Sequence, residues 1–290
     1  MLRLPITYVD VFAARPHEGN HLPVIHDADQ LSDSTMAAFA RRTRQSETSF
    51  LQTATVGGAD YRNRIFTVES EIPFAGHPTL GAAAALCHQA RTPIRELMQQ
   101  TMHGVHRVRV SLDGDSGTVS MEQSECDFGP VLDGSELIRA LGLPVDALHP
   151  DLPVQMLSTG LPMIVMPVAS PGSLHAALLD PVALERALEA VESASAMSLN
   201  CYVVAEDSTG EWSARSFSLD VVGGEDPATG SAAGPFGAYL RERTGLTRVG
   251  ISQGVDMGQP SRLLVDTSAG IVVSGDVHVV GTGMVNLPKA

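Results

Sequence analysis

Two similar segments about half a chain apart end in polar side chains that could carry out chemistry. The first runs Glu71-Ile72-Pro73-Phe74-Ala75-Gly76-His77, and the second runs Glu225-Asp226-Pro227-Ala228-Thr229-Gly230-Ser231. Each follows the pattern Glu-x-Pro-x-x-Gly-polar and continues into small residues with helical spacing. The first N–H groups of a helix lack partners within the helix, and together with the helix dipole they attract anions. We therefore expect the amides around Gly76–His77 and Gly230–Ser231 to bind a carboxylate or a developing oxyanion.

Glu47 is the candidate acid/base. It lies between a helical pattern and an apolar strand pattern and is flanked by the hydroxyl residues Ser46 and Thr48. A carboxyl group with a reference pKa of about 4.3 must be desolvated to act near neutral pH, and its carbanionic product needs stabilisation, which helix N-termini provide. Spacing alone favours a solvated turn carboxylate, so the catalytic interpretation requires the fold to bury Glu47 in a cleft.

Short β-type runs dominate the sequence, and clusters of Gly, Pro and Asp separate many of them. They predict strands over Thr7–Phe12, Leu22–Ile25, Glu47–Leu51, Tyr61–Phe66, Arg107–Leu112, Thr118–Met121, Val154–Ser158, Met163–Val168, Leu199–Ala205, Glu211–Phe217, Leu263–Thr267 and Gly270–Val280. Helical spacing predicts helices over Ser32–Thr43, His77–Ala90, Ser135–Leu141, Pro171–Leu179, Pro181–Val191 and Ser231–Arg243. Pro235 requires the last of these helices to start near Ser231–Ala232 or to bend there.

The duplicated turns predict two lobes that face one cleft. A single copy would be explained by helix capping alone, but two copies, each with a preceding acid, favour a functional site. The stretch Ala82–Cys87 is small or apolar on every side, which is typical of a helix enclosed by protein. Each lobe is therefore expected to wrap strands around one buried helix. We predict an N-terminal lobe over residues 1–125, with residues 280–290 packing back on it, and a C-terminal lobe over residues 126–279.

Composition excludes several classes of function. The 290 residues include 33 acidic and 19 basic side chains, a net charge of −14, and no Lys/Arg block, so the field repels nucleic acid and anionic membranes. The cysteines Cys87, Cys126 and Cys201 are odd in number and widely spaced, which argues against a disulfide framework or a zinc site. No apolar run approaches about 20 residues, so we predict a cytoplasmic protein without a membrane span.

Neither a metal nor an organic cofactor is predicted. The pair His103-x-x-His106 lacks a third ligand and a helical Glu. The segment Gly281-Thr-Gly283 leaves no room for the βαβ unit of a dinucleotide site. Ser231 is not in a Gly-x-Ser-x-Gly motif, and nothing places a His–Asp pair beside it, so a serine hydrolase is not favoured.

These residues resemble the PhzF-like isomerase family of phenazine biosynthesis. The matching stretches are, in chain order, Val9–Phe12 through Gly19-Asn20, Ser46–Thr48, Arg64–Thr67, Glu71–Gly81, Ser158–Pro162, Gly224–Gly234, Gln253-Gly254 and Met257-Gly258. They span nearly the whole chain, and the strings around Gly76 and Gly230 are long and specific.

The resemblance implies an α+β fold of the diaminopimelate-epimerase-like type. This fold has two pseudo-symmetric lobes, each a curled β-sheet or barrel around a central α-helix, with the site between them. It also implies a homodimer and cofactor-free proton chemistry on a small carboxylate substrate. The best-known reaction of the family isomerises trans-2,3-dihydro-3-hydroxyanthranilate, and many relatives share the motifs without a known substrate.

The resemblance assigns roles to individual positions. Glu47 matches the family's acid/base glutamate, and three supporting polar residues are matched by His77, Asp226 and Ser231. The predicted substrate-binding positions are Gly19, Asn20, Gly76, Thr229 and Gly230.

Two other functional classes remain open at this stage. An amino-acid epimerase or racemase would use a cysteine at the start of each central helix, but those places hold His77 and Ser231. A non-catalytic ligand-binding protein on the same scaffold would retain the cleft without turnover. Pro235, where a small residue is usual, and His21 after Gly19-Asn20 bear on the choice of substrate more than on the mechanism.

Overall fold

The computed structural model describes residues 1–191 and 199–289, and part of the order of its elements recurs in a first and a second half. The strands of the first half are β1 (Leu2–Val11), β2 (Asn20–Ile25), β3 (Thr48–Gln52), β4 (Tyr61–Phe66), β5 (Glu71–Ile72), β6 (Ile94–Gln100), β7 (Val105–Asp113) and β8 (Ser116–Gln123). Its helices are α1 (Asp33–Thr43) and α2 (Gly76–Ala90).

The second half contains the longer run of elements. Its strands are β9 (Asp127–Val131), β10 (Gln155–Ser158), β11 (Pro162–Pro167), β12 (Asn200–Glu206), β13 (Trp212–Phe217), β14 (Glu225–Asp226), β15 (Arg248–Gln253), β16 (Ser261–Asp266) and β17 (Ile271–Leu287). Its helices are α3 (Ser135–Ala140), α4 (Pro171–Ala176), α5 (Pro181–Glu189) and α6 (Gly230–Thr244). The predicted strand over Leu199–Ala205 corresponds to β12, and residues 192–198 lie outside the described part of the chain.

The strand pairing repeats between the halves. In the first half, β4 pairs antiparallel with β5 and parallel with β6. In the second half, β13 pairs antiparallel with β14 and parallel with β15. The registers correspond, since Phe66 pairs with Glu71 and Phe217 pairs with Glu225. This repetition agrees with the two pseudo-symmetric lobes predicted from the duplicated turns.

Each half encloses one 15-residue helix, α2 or α6. Both helices are buried over most of their length, and one core cluster contains apolar residues of α2, α6 and the strands around them. Small residues such as Ala82 and Ala233 allow the strands to approach the helices closely. The outer sheet surfaces are covered separately, by α1 in the first half and by α3, α4 and α5 in the second.

The ends of the two central helices follow their sequences. Arg91 and Gly245 adopt left-handed backbone angles just after α2 and α6, which ends each helix. The second helix starts at Gly230, slightly before the predicted start, and continues through Pro235. Pro235 is the sixth residue of this helix, beyond the first turn, so the hydrogen bond that an N–H there would donate to the Ser231 carbonyl is lost inside the helix.

The last strand returns to the first. Strand β17 pairs with β1 from Leu2 opposite Leu287 to Val11 opposite Val277, and its earlier residues pair with β8. None of the helices in the described part of the chain combines the length and the apolar character needed to cross a membrane.

Candidate active site

The N-termini of α2 and α6 meet at the centre of the molecule. A Cβ atom placed on Gly76 would lie 2.6 Å from the backbone nitrogen of Ser231 and 2.7 Å from the Cα of Gly230. Only glycine permits this approach. Two helix N-termini with their unpaired N–H groups therefore adjoin the same small space, where their dipoles add.

Glu47 lies immediately before β3 and points into this space. Its side chain is only 12% exposed, and its Oε2 lies 3.4 Å from the Nε2 atom of His77. Neither of these two atoms has a hydrogen-bond partner among the described residues. Buried polar atoms are normally paired, so an unpaired carboxylate oxygen facing an unpaired imidazole nitrogen marks a place where a ligand can bind.

Asn20 joins His77 to Asp226. Its Nδ2 donates to Asp226 Oδ1 at 2.8 Å and also lies 3.1 Å from His77 Nδ1. Because Nδ2 can only donate, His77 Nδ1 must accept. In the neutral imidazole the proton is then on Nε2, the atom that faces Glu47. The network thus turns an N–H donor toward the carboxylate and the cavity.

Asp226 is held by hydroxyl and amide donors. Thr229 Oγ1 donates to Asp226 Oδ2 at 2.6 Å, and Gln253 Nε2 donates to the Asp226 carbonyl at 2.8 Å. Gln253 also receives the Thr229 N–H on its Oε1, at 3.2 Å. Gln253 lies in one of the stretches that resemble the family, but no role was predicted for it from the sequence. Its function in holding the turn before α6 is visible only in the folded chain.

Burial shifts the pKa values of the central groups in the direction that favours their neutral forms. Burial raises the pKa of Glu47 well above its ordinary value, and the nearby Asp226 carboxylate raises it further. Burial also raises the pKa of Asp226, although donors including Thr229 and Asn20 oppose the effect. Burial, with a smaller contribution from His21, lowers the pKa of His77 to about 3, so this imidazole is neutral near pH 7.

These groups line an inner cavity that shares part of its wall with a wider outer one. The inner cavity has a volume of about 70 Å³, and the residues lining it include Glu47, Ile72, Phe74, Gly76, His77, Leu161, Asp226, Thr229, Gly230 and Ser231. The outer cavity has a volume of about 270 Å³ and shares Glu47, Phe74 and Leu161 with the inner one. Its polar lining includes Thr67, Ser70, Glu71, Asn200, Ser218 and Asp220.

The predicted site residues differ in their positions. Glu47, His77, Asp226, Ser231, Gly76, Thr229 and Gly230 all line the inner cavity. Asn20 contacts two of these residues through its amide. Gly19 lies before Asn20 with a φ of 75°, and a Cβ there would be 2.4 Å from the Val11 carbonyl. Gly19 therefore shapes the turn that positions Asn20.

The arrangement is suited to moving protons. It combines a buried carboxyl group, a neutral N–H donor and two helix N-termini, which can take up a proton and stabilise an anion. Within residues 1–191 and 199–289, no group of three or more His, Cys, Asp or Glu side chains is arranged to hold a metal ion. The cysteines Cys87 and Cys201 are buried away from the starts of α2 and α6.

Comparison with known proteins identifies the family. The family model PhzC-PhzF, described as phenazine biosynthesis-like protein, matches residues 9–286. The chain belongs to the PhzF-like isomerase family. It is 33% identical over 291 residues to a trans-2,3-dihydro-3-hydroxyanthranilate isomerase from Pseudomonas chlororaphis, covering 96% of this chain and 98% of that protein.

Solved structures agree with this assignment. A predicted epimerase from Pseudomonas aeruginosa superposes with a TM-score of 0.83 at 35% identity, covering 98% of this chain and 99% of that one. A hydroxyproline epimerase from Agrobacterium vitis superposes with a TM-score of 0.63 at 12% identity, covering 98% and 91% of the two chains. The second likeness shows a shared fold alone, and the fold is of the diaminopimelate-epimerase-like α+β type.

Proposed function

We propose that this chain is a cofactor-independent isomerase that uses Glu47 as its single acid/base to move a proton between two carbons of a small unsaturated carboxylic acid. The observation that carries the proposal is the pair of unpartnered atoms, Glu47 Oε2 and His77 Nε2, which lie 3.4 Å apart in the inner cavity. A substrate bound beside both atoms would contact a base and a hydrogen-bond donor.

The proposed reaction has two proton transfers. In the first, the Glu47 carboxylate takes a proton from a substrate carbon, and the electrons of the broken C–H bond move into the conjugated system and onto the carboxylate oxygens. The His77 Nε2–H and the amides at Gly76 and Ser231 stabilise that charge. In the second, the protonated Glu47 returns the proton to a different carbon, and the double bond has moved.

The pKa shifts support this use of Glu47. A base acts best when its pKa is near the working pH, and burial beside Asp226 moves the pKa of Glu47 upward from its ordinary value. The neutral His77 can donate from Nε2 without adding a positive charge that would lower the basicity of Glu47.

The substrate is proposed to be similar to trans-2,3-dihydro-3-hydroxyanthranilate. This proposal rests on the relatives that are named as isomerases of that compound. Inner and outer volumes of about 70 and 270 Å³ suit a small ring with its carboxylate on the helix N-termini. Two further expectations are a cytoplasmic location, from composition, and a homodimer, from the family resemblance, and light scattering during gel filtration would test the second.

Two alternative functions can be separated from the proposal. An amino-acid epimerase or racemase is weighed because epimerases share the fold, but α2 and α6 start with Gly76-His77 and Gly230-Ser231 rather than with cysteines. A non-catalytic binding protein would bind ligand with no proton exchange.

The test is turnover of trans-2,3-dihydro-3-hydroxyanthranilate and a panel of unsaturated and amino carboxylic acids by wild type and by Glu47→Gln. General acid/base catalysis contributes about 10²–10⁴-fold in rate, so the variant is expected to lose at least about 100-fold. Epimerisation of an amino acid, unaffected by the substitution, would favour the first alternative. Ligand binding equal in both proteins, without turnover, would favour the second.

A further inference from the structure

A glutamine outside the cavity connects the first turn of α6 to the cavity wall. Gln123 is the last residue of β8, and its Nε2 donates to the Gly230 carbonyl at 2.9 Å. Its Oε1 accepts from Thr159 Oγ1 at 3.0 Å. A backbone carbonyl can only accept, so the amide nitrogen must face Gly230, and the oxygen is left for the Thr159 hydroxyl.

The bond to Gly230 bears directly on the anion-binding amide. The Gly230 carbonyl and the Ser231 N–H belong to one planar peptide unit, so fixing the first fixes the direction of the second. A donor on the carbonyl also polarises the unit and strengthens the N–H as a donor. Ser231 lines the inner cavity, and its backbone nitrogen adjoins Gly76.

The helix provides space for this glutamine. A Cβ atom on Gly234 would lie 1.9 Å from Gln123 Oε1, so any larger residue at that position would displace the side chain. Gly234 lacks a side chain and so accommodates Gln123 against the first turns of α6. Glycine at this position costs the helix about 1 kcal/mol relative to alanine.

The other partner of Gln123 belongs to the cavity wall. Thr159 lies in the turn between β10 and β11, two residues before Leu161, which lines both cavities. On its other side this turn meets the first half of the chain, because a Cβ on Gly160 would lie 2.7 Å from ring atoms of His103. Gln123 thus joins the turn that shapes the cavity to the peptide unit of Ser231, which also lines the cavity.

We propose that Gln123 is a positioning residue for the Ser231 amide, and that Thr159 in turn orients Gln123. The proposal rests on the proposed function, in which this amide receives the carboxylate or developing oxyanion of the substrate. Gln123 does not line the inner or the outer cavity, so its effect is on binding geometry rather than on the proton transfer by Glu47.

The test uses Gln123→Met, which removes both hydrogen bonds without adding charge, in protein labelled with ¹⁵N-serine. The Ser231 amide resonance of the ligand-free protein is expected to shift. The Kd for 3-hydroxyanthranilate, a non-reacting ring carboxylate, is expected to rise about tenfold, as for one weakened hydrogen bond to a charged group. Thr159→Val should move the resonance in the same direction, and Thr159→Ser should restore it.

The control is Gln52→Met, since Gln52 Nε2 also donates to a backbone carbonyl, that of Ala28 at 3.1 Å, but lies outside the cavity lining. It should leave the Ser231 resonance and the Kd unchanged. An unshifted Ser231 resonance in folded Gln123→Met would overturn the proposal, whether or not the probe binds. Failure of the proposed function is a separate result, because it is read from turnover by wild type and Glu47→Gln and not from the Ser231 resonance.

Discussion

At the scale of single residues, the central feature is a buried carboxyl group without a cation to balance it. Glu47 is 12% exposed, and the basic group that lies near it in the described chain is His77, whose lowered pKa leaves it neutral. Burying an unpaired carboxylate is costly, so the group holds its proton to higher pH than an exposed one. The folded protein therefore carries a free-energy cost that serves the proposed chemistry.

This cost predicts that Glu47→Gln changes stability in a pH-dependent way. The pKa of Glu47 is raised on folding. The stability that comes from this raised pKa is fully present below the pKa of Glu47 in the unfolded chain, and it is lost as pH rises through the pKa of Glu47 in the folded chain. Each unit of pKa shift corresponds to about 1.4 kcal/mol. The melting temperature of the variant relative to wild type should therefore increase from pH 4 to pH 8.

The measurement is thermal unfolding of both proteins across that range. Glu69→Gln is the control, because Glu69 is exposed in the loop before β5 and its substitution should give a difference that hardly varies with pH. A Glu47→Gln difference that stays constant or falls as pH rises would contradict the prediction.

The charge of Asp226 is expected to affect the pH at which activity falls on the acid side of the profile. Its carboxylate raises the pKa of Glu47. Asp226→Asn should therefore lower the pKa of Glu47 and move the acid limb of kcat/KM to lower pH. The rate should also fall, because the hydrogen bonds of Asp226 with Asn20 and Thr229 are altered. The exposed Asp113 provides the control variant Asp113→Asn, which should leave the limb in place. A limb that moves to higher pH in Asp226→Asn would contradict the assigned coupling.

At the residue scale, sequence patterns predicted which side chains belong to the site but not the hydrogen bonds between them. The duplicated turns pointed to His77 and Ser231 because polar residues after Pro/Gly turns are a local pattern. The bonds of Asn20 to His77 and to Asp226 join positions 57 and 206 residues apart. Such pairs are set by the folded sheet, so no local pattern contains them.

At the scale of elements, the starts of α2 and α6 form the site together. Gly76→Ala should separate them, because the new Cβ would lie 2.6 Å from the Ser231 nitrogen. We expect kcat/KM to fall by at least about tenfold, since displacement of groups that orient a substrate is costly in rate. Steady-state kinetics would measure this.

The matched control is Gly172→Ala in α4, where a new Cβ would lie at an ordinary 3.6 Å from Ser170 Oγ. Alanine favours a helix over glycine, so that variant should be neutral or slightly more stable. Full activity in Gly76→Ala would show that the close approach of the two helices is unnecessary.

Prediction of elements from sequence succeeded where periodicity is local. All six α-helices of the described chain and most of its longer strands were expected near their observed positions. The missed strands include β6 and β15, which pair in parallel with β4 and β13. Their sequences mix charged, small and apolar residues, and the partner that makes each a strand is distant along the chain. The two-residue strands β5 and β14 are too short to show any pattern.

At the scale of the whole molecule, the two halves repeat their ion pairs as well as their strands. Arg64 donates to Glu71 from Nε at 2.8 Å, and Arg215 donates to Glu225 from Nε at 2.8 Å. Each pair precedes one of the Pro/Gly turns and ties it to the neighbouring strand. The halves then differ at the cavity, where one helix starts with Gly76-His77 and the other with Gly230-Ser231. A duplicated scaffold with unlike polar residues suits a reaction in which one side carries the base and the other receives the anion.

The duplicated sequence motif was sufficient to predict this two-lobed architecture, because a repeat in sequence becomes a repeat in space. The lobe limits of residues 1–125 and 126–279, with residues 280–290 returning to the first lobe, stay a prediction. The duplicated turns also predicted that the two helix starts face one cleft, but their direct contact at Gly76 and Gly230 is not visible in the sequence pattern.

The most direct test of the central claim is NMR of trans-2,3-dihydro-3-hydroxyanthranilate in deuterium oxide with wild type and Glu47→Gln side by side. Wild type is expected to move the double bond, and solvent deuterium is expected at the carbon that receives the proton, to the extent that Glu47 exchanges its proton with solvent. Both events should be reduced at least about 100-fold in the folded variant. Isomerisation at the wild-type rate by Glu47→Gln would contradict the account.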